Sequence, residues 1–248
     1  MIDNSGFLVA KRSLEADHLR YNIGTYKERS QHLLLKHLYE PDISYHEVPV
    51  EGYVADILND EGITEIQTAA FRALNEKLAV FLPRFPVRIV YPVCDKKRII
   101  WTDPQTGESE MGRYTSYPRA RFRILSELLS IVDHFGAPGF CIEIVLLKSS
   151  QFKLRDGYGN DNKRKATKLD TVPDELIGTL VLRDASDVRS FLPLEIGSRV
   201  TVTEISKVLG LRRIPLWRAI KFLAVLEILV PVDKKGKSII YEISEEKF

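Results

Sequence analysis

The sequence predicts an α/β fold: a mixed sheet flanked by helices, then a smaller unit of helices and a hairpin. Three observations predict it. Strand-like and amphipathic helical runs interchange through residues 1–150. A polar, basic, glycine-containing stretch, KLRDGYGNDNKRKATKLD, follows them. Beyond it the pattern becomes helix, turn, helix, hairpin. The expected divisions are a sheet domain over 1–150, a basic linker or loop over 151–170, and a helical segment with the terminal unit over 171–248.

The first 20 or so residues are mixed and show no clear period. Residues 26–39, YKERSQHLLLKHLY, read as a helix with an apolar stripe of Leu34, Leu35 and Leu38. Glu40-Pro41-Asp42 stops it, because proline cannot continue the hydrogen-bond ladder. Strands are expected at 44–50, 53–58 and 63–68, then a helix over 70–82 burying Phe71, Leu74, Leu78, Phe81 and Leu82. A strand over 87–93, a strand–turn–loop segment, a helix over 119–135 and a strand over 140–147 complete the domain.

Residues 171–197 read as two short helices. Thr201 and Glu204 fit a capping box for the next helix. Pro215 suits the first turn of the one after, where its missing N–H costs nothing. Ala219, Ile220, Phe222, Leu223 and Leu226 define that helix's buried side, with Trp217 partly in the core. A hairpin with its tip at 233–237 closes the chain, which is the order of a winged helix-turn-helix.

Composition sets limits on function. Hydrophobic residues make up 44% and charged residues 28%, as in an ordinary globular protein. The formal charge of +2 means that any nucleic-acid surface must be a local patch. There is no secretory signal pattern and no apolar run of about 18 residues, so the expectation is a cytoplasmic protein with no membrane partner. Cys94 and Cys141 read as buried thiols of a reducing compartment. No glycine-rich phosphate loop and no Ser/His/Asp or Cys/His motif is present.

The segment GYVADILNDEGITEIQTAAF carries the chemistry. Two strand-like runs flank the turn Asn59-Asp60-Glu61-Gly62. Glu65 and Gln67 share one strand face, and antiparallel pairing brings Asp56 towards Glu65. Phosphodiester hydrolysis uses carboxylates around a divalent cation, and hard oxygen ligands suit Mg²⁺ or Mn²⁺. Periodicity alone leaves two readings open, a solvated polar hairpin face or a metal site. Glu28 and His32 lie one turn apart on the preceding helix, and Glu47 and Glu51 precede the Asp56 strand as edge charges or added ligands.

GTYKERSQHLLLK, Asp56 and Glu65-Ile66-Gln67 together resemble the PD-(D/E)XK nuclease superfamily, over about residues 24–93. The resemblance implies a restriction-endonuclease-like core of helix, three strands, helix and strand. It assigns the helix glutamate to Glu28, the metal carboxylates to Asp56 and Glu65, and the family's lysine position to Gln67, which would place the attacking water. Glutamine in place of lysine departs from the family pattern, and Ala55 stands where the family name has proline. The chain also resembles a group of uncharacterised bacterial proteins that join this core to a C-terminal winged helix. A metal-dependent DNA endonuclease is then expected, with a nuclease-like domain serving a DNA-binding regulator or scaffold as the alternative.

DNA contacts are expected from Arg212, Arg213, Arg218 and Lys221 along the second helix of the terminal unit, and from Lys234, Lys235 and Lys237 at its wing. Lys163, Arg164 and Lys165 of the basic loop are further candidates, as are Arg119, Arg121 and Arg123. Besides DNA, the expected partners are a second copy of the chain or another protein.

Overall fold

The structure, a computed structural model, describes residues 2–20, 30–157, 166–195, 197–236 and 238–244. Its centre is a mixed sheet. Strands β1 (His46–Val50), β2 (Tyr53–Asn59) and β3 (Gly62–Ile66) form an antiparallel meander. Strand β4 (Val87–Thr102) adds parallel to β3. The short β5 (Ser109–Met111) and β6 (Thr115–Ser116) fold back on β4. Strand β7 (Phe140–Leu154) adds parallel to β4, and β8 (Thr167–Leu182) closes the edge antiparallel to β7.

Helices cover both faces. Helix α1 (Asn4–Arg20) and α2 (Ser30–Tyr39) bury Phe7, Ala10, Leu14, Leu34, Leu35 and Leu38 against Ile66, Val90, Val145 and Leu147. On the other face lie a 3-10 turn with α3 (Leu74–Phe81) and α4 (Ile124–Leu128) flanked by 3-10 turns. They pack on Ile63, Ile89, Ile142 and Ile144. Neighbouring residues such as Ile89 and Val90 thus feed different faces, so β4 and β7 read as continuous apolar runs. Among the described residues no helix is long and apolar enough to cross a membrane.

One expectation is corrected. Residues 171–182 are strand, not helix: β8 pairs with β7 from Thr167 to Leu182. Val172-Pro173-Asp174-Glu175 mimics a helix start, but the long-range ladder with β7 overrides that local signal. Pro173 is tolerated because β8 is an edge strand and Pro173 sits at a register shift. Within the 151–170 span, expected as a linker or loop, β7 runs on to Leu154 and β8 begins at Thr167. The first 20 residues, unassigned from sequence, hold α1, which buries Phe7, Ala10 and Leu14.

The C-terminal part holds α5 (Ala185–Phe191), β9 (Arg199–Thr201), α6 (Val202–Leu209), α7 (Arg213–Val225), β10 (Leu229–Lys235) and β11 (Ser238–Ile243). Its three strands form a separate sheet in the order β10-β11-β9. Thr201 and Glu204 form the full capping box at α6. One hydrophobic cluster runs from Ile89 and Ile144 through Leu125 and Leu128 to Phe222 and Ile243, so this part shares a core with the main sheet. Phe135 meets Phe222 edge-on at 5.5 Å across that junction.

The β2–β3 turn depends on one glycine. Gly62 has φ +110°, and a Cβ there would stand 2.4 Å from the Pro86 carbonyl oxygen that accepts the Ile63 N–H. Gly52, at φ +84°, has open space around it. Gly62→Ala is expected to cost about 3 kcal/mol or more through strain plus clash, and Gly52→Ala about 1 kcal/mol. Urea-denaturation midpoints of the two variants measure the difference.

Candidate active site

The backbone ladder between β2 and β3 pairs Asn59 with Gly62, Leu58 with Ile63 and Ile57 with Thr64, and then stops. The strands diverge at Asp56 and Glu65. Side chains take over there: the Ile66 N–H donates to Asp56 Oδ2 at 2.7 Å, and the Asp56 N–H donates to Glu65 Oε1 at 3.3 Å. The two carboxylates expected to approach are thus brought together, each anchored by the other strand's backbone. Glu65 is almost wholly buried and Asp56 largely so.

Basic side chains reach the pair from both faces of the sheet. From α2, His32 Nε2 lies 3.3 Å from Asp56 Oδ2. Lys36, one turn further along α2, is buried and pairs with Glu47, a residue held at φ 51°. From α3, Lys77 Nζ lies 2.8 Å from Glu65 Oε2 and donates to the Val54 carbonyl at 2.7 Å. Gln67, just beyond β3, turns away: its amide donates to the Ala69 carbonyl, while its backbone N–H bonds Val90. Lys77, not Gln67, therefore joins His32 in touching the carboxylate pair.

The acid pair is electrostatically asymmetric. Burial pushes the Asp56 carboxyl up, but the hydrogen bond and charge of His32, the Ile66 N–H and Lys36 outweigh it, and the net shift is downward. Burial also pushes Glu65 up, and the Asp56 charge adds to it. Lys77 and the Asp56 N–H offset only part of this, so Glu65 ends raised.

The remaining expected residues divide. Glu28 lies outside the described residues. Glu51 pairs with Arg84 at the surface, and Glu47 with Lys36, so neither joins the acid pair. Among the described residues no group of three or more His, Cys, Asp or Glu side chains is placed to hold a metal ion. Asp56 and Glu65 nonetheless supply two hard oxygen donors. That fits Mg²⁺ or Mn²⁺, which take one or two carboxylates and complete their shell with water and phosphate.

Of the basic residues, Arg212, Arg213, Lys221 and Lys234 are exposed, and Lys235 lies on β10. Lys163, Arg164, Lys165 and Lys237 lie outside the described residues. Arg218 does not face solvent as expected: it donates to the Ser126 carbonyl at 2.8 Å and to Ser130 Oγ at 2.6 Å, tying α7 to α4 and the turn after it. Trp217, expected partly in the core, is 55% exposed. Arg121 pairs with Asp95 at 2.8 Å, while Arg119 and Arg123 are exposed.

Sequence reasoning missed Lys77 and Lys36. Lys36 leaves one trace, a charge inside the apolar run Leu34-Leu35-Lys36-His37-Leu38. Lys77 leaves none, because a lysine beside an apolar helix stripe is ordinary.

Fold and site together define an α/β protein with a mixed eight-stranded sheet, a small C-terminal three-stranded sheet with helices, and an acid pair at a strand divergence. The chain belongs to the family Domain of unknown function (DUF8091), whose model matches residues 29–183. That span covers β1 to β8 and ends where the C-terminal part begins. A Treponema pallidum (strain Nichols) protein described as uncharacterized is 28% identical over 149 residues, which make up 60% of this chain and 59% of that protein. The chain thus spans less than two thirds of that relative's length. No solved structure matches.

The opposite shifts predict opposite pH responses. Raised in the folded state, Glu65 contributes stability that is fully present below its unfolded value and is lost as pH rises through the folded value. Asp56, lowered, contributes stability present above its unfolded value and lost as pH falls through the folded one. Relative to wild type, Glu65→Gln should gain stability as pH rises from the unfolded carboxyl range, about pH 4, towards neutrality. Asp56→Asn should lose most at neutral pH and recover in acid. Denaturation midpoints across that range test both signs.

Proposed function

We propose that the protein is a metal-dependent nuclease that hydrolyses DNA phosphodiester bonds, acting in the cytoplasm. The reading takes the sheet as restriction-endonuclease-like and the C-terminal part as a winged helix that binds DNA. One observation carries it: Asp56, Glu65 and Lys77 converge where β2 and β3 part.

In this reading Asp56 and Glu65 hold Mg²⁺ or Mn²⁺. The bound cation would polarise the scissile phosphate and make a bound water more acidic. Lys77 supplies the positive charge and N–H donors that orient the attacking water and balance charge developing on phosphate. The lower proton affinity of Asp56 keeps one carboxylate ionised, while burial and the Asp56 charge raise Glu65, a repulsion that a bound cation would relieve. Gln67 has no catalytic part, since its amide is turned to Ala69.

A second reading, a nuclease-like scaffold without turnover, is favoured by one feature. Each carboxylate already has a backbone amide and a basic side chain within reach.

Cleavage of supercoiled plasmid and of single-stranded DNA with Mg²⁺ or Mn²⁺ separates the readings. Wild type should cut. EDTA, Asp56→Ala and Glu65→Ala should abolish cutting, Lys77→Ala should lower the rate about 100-fold or more, and Gln67→Ala should stay within a few-fold. No cutting, together with no Mn²⁺ uptake by calorimetry, would establish the scaffold instead.

A further inference from the structure

Helix α7 has an outer stripe that the fold leaves uncovered. Its inner side buries Leu216, Ala219, Ile220, Phe222 and Leu223, and its flank is tied down by Arg218. What remains is Arg213, Ile214, Trp217, Lys221 and Val225. A helix that faces only water carries polar residues in such a stripe. Here Ile214 is 73% exposed, Trp217 55% and Val225 53%.

The stripe's charge has one sign. Arg213, Trp217 and Lys221 follow at intervals of four residues, so a cation stands one turn to either side of the indole, about 6 Å along the axis. Helix α7 contains no acidic residue, and Arg212 precedes it. Arg119 extends the positive surface onto the main body: its side chain packs against Gly210, 3.0 Å from where a Cβ would stand.

We infer that this stripe is a platform for single-stranded nucleic acid, an inference that rests on the nucleic-acid part of the function proposed above. A base stacks on Trp217 with Ile214 and Val225 beside it, while Arg213 and Lys221 take the flanking phosphates. A duplex fits the stripe less well. Arg213 and Lys221 could reach base edges or phosphates in a groove, but a base stacked on its neighbours in a duplex cannot cover the face of the exposed Trp217 indole. An aromatic face flanked by cations is matched instead by bases free of their pairing partners.

The test is titration of fluorescein-labelled oligo(dT) with the full chain in EDTA, so that binding is read without cleavage. The anisotropy series uses wild type, Trp217→Ala and Trp217→Phe, with a labelled hairpin duplex in parallel. Trp217→Ala should weaken oligo(dT) binding roughly tenfold, Trp217→Phe far less, and the duplex should be little affected. Oligo(dT) should quench wild-type tryptophan fluorescence and leave that of Trp217→Ala unchanged, because Trp101, the other tryptophan, is buried. Unchanged oligo(dT) affinity in Trp217→Ala overturns the inference, as does an equal loss on the duplex. Unchanged affinity with a dimer dissociated by Trp217→Ala in sedimentation would assign the stripe to a second copy of the chain. The two proposals fail separately: absent cleavage with intact Trp217-dependent binding removes only the nuclease, and cleavage without such binding removes only the platform.

Discussion

Where two antiparallel strands part, each leaves backbone groups that the other would have satisfied. At the end of the β2–β3 ladder these include the amides of Asp56 and Ile66, and the side chains of Glu65 and Asp56 accept from them. A buried amide without a partner costs about 1–3 kcal/mol, so the two carboxylates are needed structurally before any chemistry is considered. The exchange also fixes them. Each is located by the opposite strand's backbone, which holds the pair more firmly than rotamer preference alone. The divergence opens at the carboxyl end of β3, beside parallel β4, the region of an open α/β sheet where ligands bind.

Two negative charges cannot be placed side by side out of water without compensation. The compensation comes from helices on opposite faces, His32 and Lys36 from α2 and Lys77 from α3. The division is unequal. Asp56, beside His32 and Lys36, is held ionised, whereas Glu65, more deeply buried and facing Asp56, is pushed towards its proton. In the function proposed above, a divalent cation would relieve the repulsion between these neighbouring carboxyls. The single ammonium of Lys77 relieves it only in part.

Much of this arrangement is legible locally. The alternation of residues 53–58 and 63–68 and the Asn59–Gly62 turn are enough to place Asp56 near Glu65, and the apolar stripes of α2 and α3 place the covering helices. What escapes is set by partners distant in sequence. Strand β8 looks helical until β7 is laid beside it, and α1 finds its burial partners in α2 and the sheet, distant in sequence. Lys77 gains its meaning from the packing angle of α3, which no spacing in the sequence encodes. Arg218 reads as one more groove-facing cation, yet its partners lie in α4 and the turn after it, in a different part of the chain.

That last contact bears on how the two parts work together. The C-terminal part is not hung on a hinge: Phe222 meets Phe135, Arg218 holds Ser126 and Ser130, and the apolar cluster is continuous across the junction. An apolar, hydrogen-bonded interface of this kind holds its sides in one orientation, unlike the polar contacts between mobile domains. The family model ends at residue 183, so the residues that receive α7 lie in the matched span while α7 does not. A chain carrying that span alone would expose Phe135 and the flank of α4 to water. It would need another cover there, or an altered surface. In this chain the cover is a helix whose outer stripe is cationic and aromatic, set at a fixed offset from the acid pair. The offset between Trp217 and the acid pair is therefore set by the shared core, with no linker to vary it.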